Sequence, residues 1–337
     1  MSSCFRITIL MFCFLFIYFA GIYAQKADKY RIMFYNVENF FDINDDTLTD
    51  DNSFLPDGLM RWNYSRYSGK LNSLYRTIVA AGEWQIPSIV AMCEVENRGV
   101  LQDLIYKTNL LKYSFGIIHE DSPDPRGIDV CLIYNRESSS LISYRYLVPQ
   151  NIDGNPLQTR SILYSKFLIF NDTLHLIVNH WPSRRGGALA GKAYRSMISG
   201  IVKNLCDSIS SACRGKIVIC GDFNSTPDDS EIRSLTANAG QSDLINLSES
   251  RYVGKGGSYR YRGTWEMIDQ FIVSGSLLNS VTGLNTCQEG IRIFDSPFLL
   301  EKDPVYPGNT PFRTYKGYRY NGGFSDHLPV LLDLAVH

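Results

Sequence analysis

Eight short β-rich runs recur along the chain, and a polar residue closes or opens seven of them. The runs are Arg31–Tyr35, Ser88–Cys93, Val130–Tyr134, Leu163–Phe170, Thr173–Val178, Lys216–Cys220, Gln270–Val273 and Leu328–Leu332, each of strand length and rich in β-branched and aromatic residues. Asn36, Glu94, Asn179-His180, Asp222 and Asn224 follow such runs; Asp129, Asp269 and Asp326-His327 precede them. In antiparallel pairing the end of one strand lies beside the start of its neighbour, so a sheet gathers all these groups at one rim. Rigid strand ends are suited to holding a reactive site. Taken singly, an acid after a strand is a turn former or helix cap, and Asp228 and Asp229 beside Pro227 read as no more than that. The argument rests on joint occurrence, with two of only five histidines in the set.

Helical spacing appears between the runs. Leu71, Leu74, Tyr75 and Ile78 mark one face, with Gly82 as a stop; Val100, Leu101, Leu104 and Ile105 mark a second; Tyr194, Met197, Ile198, Ile201, Val202 and Leu205 mark the longest. Strands and helices interleave over the whole length, without repeats or low-complexity tracts. With 337 residues, 45% of them apolar, the chain can bury a large core, and the expectation is one domain over residues 25–337. Residues 42–63 and 286–323 read as long loops, which are unusual unless functional or mobile. The net charge of −1 excludes a strongly basic protein that coats nucleic acid.

Arg6 precedes 18 uncharged residues, Ile7 to Ala24, and polar residues follow at once. This reads as a secretory signal peptide cleaved after Ala24, and export to the periplasm or medium is expected. The rival is a retained N-terminal anchor, since the stretch nearly reaches the length of a spanning helix. Cleavage leaves 32 basic and 34 acidic residues, no stable membrane insertion and an expected monomer. Cys206 with Cys213 is the pair expected to bridge if an exported chain forms a disulfide; Cys93, Cys131 and Cys220 read as buried thiols.

The chemistry such a cluster suits is phosphoester hydrolysis. Glu94 and Asp326 offer hard anionic oxygens to Mg²⁺, Mn²⁺ or Ca²⁺, and Asn36, Asp222 and Asn224 add further oxygens and amide groups. Two imidazoles near carboxylates, His180 and His327, are poised acids or bases at neutral pH. A serine hydrolase is disfavoured because no Gly-x-Ser-x-Gly elbow is present. A Walker loop is absent, and Gly254-Lys255-Gly256-Gly257 does not follow a strand as a dinucleotide fingerprint requires.

Seven segments resemble the endonuclease/exonuclease/phosphatase superfamily, the group containing pancreatic deoxyribonuclease and the exonuclease III-like repair enzymes. They are Phe34-Tyr35-Asn36-Val37-Glu38-Asn39-Phe40, Cys93-Glu94-Val95-Glu96-Asn97, Gly127-Ile128-Asp129-Val130, Asn179-His180-Trp181-Pro182-Ser183, Gly221-Asp222-Phe223-Asn224-Ser225, Gly263-Thr264-Trp265-Glu266-Met267-Ile268-Asp269 and Ser325-Asp326-His327-Leu328-Pro329-Val330, in family order. The resemblance implies a four-layer α/β/β/α sandwich of two packed, mostly antiparallel sheets. It implies a divalent metal, Mg²⁺ first, held around Glu94 with Asn36 and Asp326. In the family either an Asp–His pair, matched by Asp269–His327, or the acid matching Asp222 activates water; the resemblance leads to Asp269–His327 as the expected base system. The resemblance further implies that Asn224 positions the phosphate and that His180 contacts it and acts as acid toward the leaving group. Trp265 is expected beneath Asp269 or as plain core. The partner of the first histidine in pancreatic-type members is a Glu; Asp129 stands near that position, one residue out of register. Asp326-His327 replaces the Asp-Arg of inositol-polyphosphate phosphatases, which lowers phosphoinositides as substrates. The stretch from Asn179 to Gly187 looks more like secreted bacterial nuclease-like members.

Arg184 and Arg185, just after His180 and with Asn179 beside it, read as phosphate-gripping residues, against a solvated surface turn. Tyr306–Tyr320 interleaves Arg313, Lys316 and Arg319 with tyrosines, and Tyr259–Arg262 repeats the pattern. Such mixtures suit single-stranded nucleic acid, against plain packing over the sandwich edge. The leading expectation is a metal-dependent nuclease on DNA or RNA. The alternatives are the same chemistry on a lipid headgroup or small phosphorylated metabolite, and a non-catalytic binding module on the same scaffold.

Overall fold

Alternation along the strands sorts the side chains into three cores, and that sorting sets the layers. The computed structural model describes residues 28–336 apart from 84, 152, 185–187, 214, 238, 239, 241, 254 and 255; the expected signal segment and Arg185 lie outside the described residues. In chain order the sheet strands are β1 (Asp28–Phe40), β2 (Ile89–Val95), β3 (Phe115–Ile118), β4 (Asp129–Asn135), β5 (Ser140–Leu147), β6 (Ile162–Ile169), β7 (Asp172–His180), β8 (Lys216–Asp222), β9 (Leu244–Asn246), β10 (Asp269–Ser274), β11 (Leu284–Asn285), β12 (Ile291–Ile293) and β13 (Val330–Val336). The principal helices are α1 (Tyr64–Gly82), α2 (Arg98–Tyr106), α3 (Ala188–Cys213) and α4 (Ser230–Thr236). One sheet runs β11-β13-β1-β2-β4-β3, with β12 also on β13; the other runs β5-β6-β7-β8-β10-β9.

Ile32, Phe34, Ile89, Ala91 and Cys93 point between the sheets, where they meet Leu176, Val178, Val218, Cys220 and Phe271. Their strand neighbours Met33, Tyr35, Val90 and Met92 point outward onto Leu71, Leu74 and Ile78 of α1 and Leu101 and Leu104 of α2. On the far face Ile177, Ile217 and Ile219 pack on Ile198, Val202 and Leu205 of α3 and Ile232 of α4. The result is the expected four-layer α/β/β/α sandwich. Asn63 and Asn97 cap α1 and α2 by accepting the backbone N–H of Arg66 and Val100, and α1 ends at Gly82 as the spacing predicts.

Each sheet has one parallel pair at its centre, β1–β2 and β7–β8. Parallel neighbours need a long crossover, and α1 and α3 supply it. Both pairs therefore bring their C-terminal ends to the same rim, where ligands of α/β sheets are bound. Antiparallel β10 starts there too, Asp269 opposite Asp222, and Val330 of β13 lies opposite Phe34.

Three expectations change. Residues 286–323 are not a featureless loop: they contain β12 and the hairpins Leu300–Lys302/Asn309–Pro311 and Tyr315–Lys316/Arg319–Tyr320. Residues 42–63 carry a short 3₁₀ turn, Asn52–Phe54, anchored by aromatic contacts of Phe54 with Phe41, Trp62 and Tyr315. Cys206 and Cys213 are both free, because seven residues of helix separate them by about 10 Å along the axis, beyond disulfide reach. No described helix is long and apolar enough to cross a membrane.

Candidate active site

The ends of β1 and β2 are irregular where the acids stand. Register shifts fall between Asn36 and Phe40 on β1 and between Cys93 and Val95 beside β4, the kind of bulge that re-aims a side chain. Glu38, Asn39, Glu94 and Asn224 all have positive φ, between 48° and 63°. Such backbone costs about 1–3 kcal/mol per residue and clusters at functional sites. Gly221, just before Asp222, has no room for a side chain: a Cβ would meet the Asn179 carbonyl oxygen at 2.3 Å.

Asp222 joins the two sheets. Its Oδ2 accepts from Asn36 Nδ2 at 3.1 Å and lies 3.8 Å from His180 Nε2 and 3.9 Å from His327 Nε2. Asn36 Nδ2 also reaches Glu94 Oε1 at 3.3 Å, while its Oδ1 accepts from the Glu38 amide. Asn36 thus presents N–H, not oxygen, to the two carboxylates. Glu94 Oε2 accepts the Asn39 amide and Asp222 Oδ1 the Asn224 amide. His327 Nδ1 lies 2.7 Å from Asp269 Oδ2, which also accepts from the Ser258 hydroxyl. Ser325 ties this corner to the first sheet, accepting from the His327 amide and donating to the Asn36 carbonyl. Asn36, His180, Asp222, Asp269 and His327 are buried, whereas Glu94, Asn224 and Asp326 are partly exposed, so the cluster opens at its Glu94–Asp326 end.

Burial and repulsion from Asp269 raise the Asp222 carboxyl to about 7. Burial works against a charged His327, but the Asp269 carboxylate outweighs it, aided by Asp222 and Asp326, and holds the imidazolium up to about 10. His180 goes the other way: burial, then the charges of Arg160 and Arg126, hold it well below its usual value. One histidine is thus charged and the other neutral at pH 7.

The remaining expected residues fall as follows. Asp326 Oδ2 accepts from Arg313 Nη2 at 2.8 Å. Asn224 Nδ2 donates to the Trp181 carbonyl. Asn179 lies below the rim, bonded to the Cys220 carbonyl and the Trp181 indole. Arg184 spends its guanidinium on the Asn224 carbonyl, Glu266 and Asp229, bracing the Asn224 loop. Trp265 packs with Leu299, Phe324 and Leu328, under the Arg260 guanidinium. Asp129 pairs with His119 Nε2 at 3.2 Å and with the Ser122 amide; it is His119, with Asp121, that the structure groups with it. The aromatic–basic loop packs down: Tyr315 is buried among Phe54, Trp62 and Tyr320, and Lys316 pairs with Glu301.

Several residues at the site escaped the sequence reading. Lys70 of α1 is fully buried and donates to the Thr314 hydroxyl and the Phe324 carbonyl. Glu38 accepts the Thr314 amide and is raised to about 7 by burial and Asp326. Arg126 and Arg160 both bond Asp124. Arg126 stands immediately before the Gly127-Ile128-Asp129 segment, and Arg160 just before β6, so extending the strand-end search from acids to arginines would have found both.

The donor chemistry fits a hard divalent cation at the Glu94 end. Glu94 and Asp326 are partly exposed carboxylates, the hard oxygen donors such ions prefer, whereas Asn36 turns its Oδ1 to the Glu38 amide. Asp222, Asp269 and His327 also lie within reach of a common point, but His327 holds a proton there up to about pH 10, which a metal would have to displace.

Solved structures share the fold. Humanized D. rerio TDP2 matches with a TM-score of 0.58 and 13% identity over 91% of this chain and 99% of that one. The catalytic domain of human nocturnin matches at 0.57 and 14%, over 93% and 98%. A mannosyl-6-phosphatase of Bacteroides thetaiotaomicron matches at 0.56 and 13%, over 91% and 99%. None of the curated proteins compared matches the chain. The family model described as Endonuclease/Exonuclease/phosphatase family covers residues 31–336, and the chain belongs to that family.

Proposed function

We propose that the chain is an exported, divalent-metal-dependent phosphoester hydrolase whose leading substrates are polynucleotides. The observation that carries the reading is the convergence of Asn36, His180 and His327 on one oxygen of Asp222, with Glu94 on the other side of Asn36. Glu94 and Asp326 are the residues that would hold the cation; Asn36, whose Oδ1 accepts the Glu38 amide, would join them only by turning its amide over. When bound the cation polarises a phosphoryl oxygen and offsets charge developing on the phosphate.

The electrostatics favour Asp222 as the group that takes the proton from water, in place of the Asp269–His327 pair. A general base works best with a pKa near the working pH; Asp222 stands at about 7 and His327 at about 10. His327, kept charged by Asp269, then stabilises negative charge on the phosphate. Asn224, braced by Arg184, orients the phosphate. His180, neutral in this state, contacts a phosphate oxygen; the arriving anion offsets Arg126 and Arg160 and favours its protonation for the leaving group.

A second reading, a compact phosphate ester as substrate, is favoured by one observation: Arg184, Arg313, Lys316 and Arg260 are all engaged with acids of the chain itself. Tyr261, Tyr306 and Tyr318 remain exposed and suit base stacking, which keeps polynucleotides first. A D. rerio TDP2 structure was solved with a single-strand DNA product, and the mannosyl-6-phosphatase is named for a sugar phosphate; the fold is compatible with both.

The test is a panel of plasmid DNA, RNA, sphingomyelin, a nucleoside monophosphate and p-nitrophenyl phosphate, with Mg²⁺ and then with EDTA. Metal-dependent cleavage of DNA or RNA supports the nuclease. Turnover of monoesters alone selects the second reading, and no turnover of any ester leaves a binding module. Export rests on residues 1–24 and is tested by N-terminal sequencing of the secreted protein, which should begin at Gln25. The chain is read as a monomer.

A further inference from the structure

Arg126 and Arg160 share one buried carboxylate. Arg126 grips Asp124 with two nitrogens, Nε at 3.1 Å and Nη2 at 3.2 Å, and Arg160 Nη1 donates to the same residue at 2.9 Å. Asp124 and Arg160 are buried, whereas the Arg126 side chain is 50% exposed. The other arm of Arg160 holds the carbonyl of Trp181, next to His180. One carboxylate cannot neutralise two guanidinium groups, so Arg126, Asp124 and Arg160 together carry net positive charge, buried at Arg160 and half-exposed at Arg126. That charge acts on the site: both arginines depress His180, Arg126 feels Glu94, and Arg160 feels Asp222. Two buried nitrogens in this neighbourhood, Arg160 Nε and His180 Nδ1, have no hydrogen-bond partner, and Arg126 Nη1 makes none among the described residues. Buried donors left unmade are unfavourable, and Arg126 Nη1, on the half-exposed member of the pair, is the donor that an anion arriving from solvent meets first.

We propose that Arg126, braced by Asp124 and Arg160, is an anion subsite beside His180 that receives a second negative charge carried next to the scissile phosphorus. The shared chemistry is an extra phosphate charge, whether the second charge of a phosphomonoester dianion or a terminal phosphate adjoining the cleaved diester. A simple diester anion has one charge and does not need the subsite. Bidentate anchoring leaves one edge of a rigid planar fork facing outward, the geometry in which arginine recognises phosphate. This rests on the phosphoester reading above and names the substrate class that the site prefers.

The test uses the Mg²⁺-loaded protein and the exposed-site variants Arg126→Ala and Arg126→Lys. Calorimetric titration with inorganic phosphate reads the subsite without turnover. A charge-assisted contact is worth about 1.5–3 kcal/mol, so loss of Arg126 should weaken phosphate binding by about 10- to 150-fold, with partial recovery in the Lys variant. Kinetics then compare p-nitrophenyl phosphate with bis(p-nitrophenyl) phosphate, and a 5′-phosphorylated oligonucleotide with its unphosphorylated twin. The expected loss falls on KM and on the member of each pair with the extra charge; which pair responds tells the two sources apart. Unchanged phosphate binding overturns the subsite. Equal losses within both pairs overturn the second-charge assignment, since Arg126 would then contact only the phosphate common to all. If the wild-type protein turns over no ester, the hydrolase reading fails while the phosphate titration still decides whether Arg126 binds an anion.

Discussion

His327 Nδ1 lies 2.7 Å from Asp269 Oδ2, deep at the junction of the two sheets, and the Ser258 hydroxyl donates to that same carboxylate oxygen. A carboxylate so placed fixes the imidazole orientation and keeps its proton. Asp269→Asn retains the shape and removes the charge. It should lower kcat/KM by about 10²–10³-fold, the range for losing one group that stabilises charge developing in the reaction, and bring the His327 titration down in an NMR pH series. Activity within tenfold of wild type, with the titration displaced, would show that the charge on His327 is not used.

The same pair sets a pH dependence of stability. Folding raises His327 from its ordinary 6.5 to about 10, so the folded state binds the proton more tightly than the unfolded chain. This contribution is complete below about pH 6.5 and is lost as pH rises toward 10. Urea midpoints measured from pH 6.5 to 8, below the range in which Lys70, pushed down to about 8, works in the opposite sense, should therefore fall, and fall less steeply in His327→Gln. A variant that keeps the full wild-type slope would place the titrating group elsewhere.

How much of this was legible in the sequence depends on what each residue answers to. The strands carrying Asn36, Glu94, His180, Asp222 and Asp269 were readable because each is an apolar run of strand length ended by a group that an interior rejects. The crossovers α1 and α3 were readable from 3.6-residue spacing. What was hidden is contact chosen by tertiary geometry. Asp129 belongs with His119, ten residues back across a turn, and no spacing rule separates that from a link to His180. Arg184 looked like a free cation because its partners Asp229 and Glu266 are 45 and 82 residues away. The charge states were least visible of all: His180 and His327 are the same residue type at similar strand ends, and opposite neighbours, arginines for one and aspartates for the other, drive them apart.

Lys70 offers a test of the support behind Asp326. Its ammonium is fully buried, bonded to the Thr314 hydroxyl and the Phe324 carbonyl, and pushed down to about 8 by burial against the pull of Glu38. Leaving the buried Thr314 hydroxyl and Phe324 carbonyl without their donor costs about 1–3 kcal/mol each, so Lys70→Ala should be clearly destabilised in urea unfolding and should loosen the 314–324 segment in hydrogen exchange. Lys70→Met removes the same charge and hydrogen bonds but keeps most of the volume, and should lose less. Equal losses in the two variants would assign the effect to the missing hydrogen bonds and charge and not to the lost packing volume.

Glu94 is the residue on which the proposed metal dependence turns. Its carboxylate is aimed by a positive φ of 63°, steadied at Oε2 by the Asn39 amide, and left partly exposed at the open end of the cluster. A ligand that binds only the folded state stabilises it by RT ln(1 + [L]/Kd), about 2.7 kcal/mol at a hundredfold excess over Kd. Adding Mg²⁺ or Mn²⁺ to the chelated wild-type protein should therefore raise Tm by several degrees and restore turnover. Glu94→Gln keeps the Asn39 contact through its amide oxygen but lacks the charge; it should show neither the Tm shift nor the turnover at the same metal concentration. The variant removes acid–acid repulsion from the rim but sets its NH2 against Asn36 Nδ2, so the metal-induced shift is compared within each protein. A Tm shift with metal as large in Glu94→Gln as in wild type would move the cation away from this carboxylate, and full turnover in EDTA would remove it from the reaction.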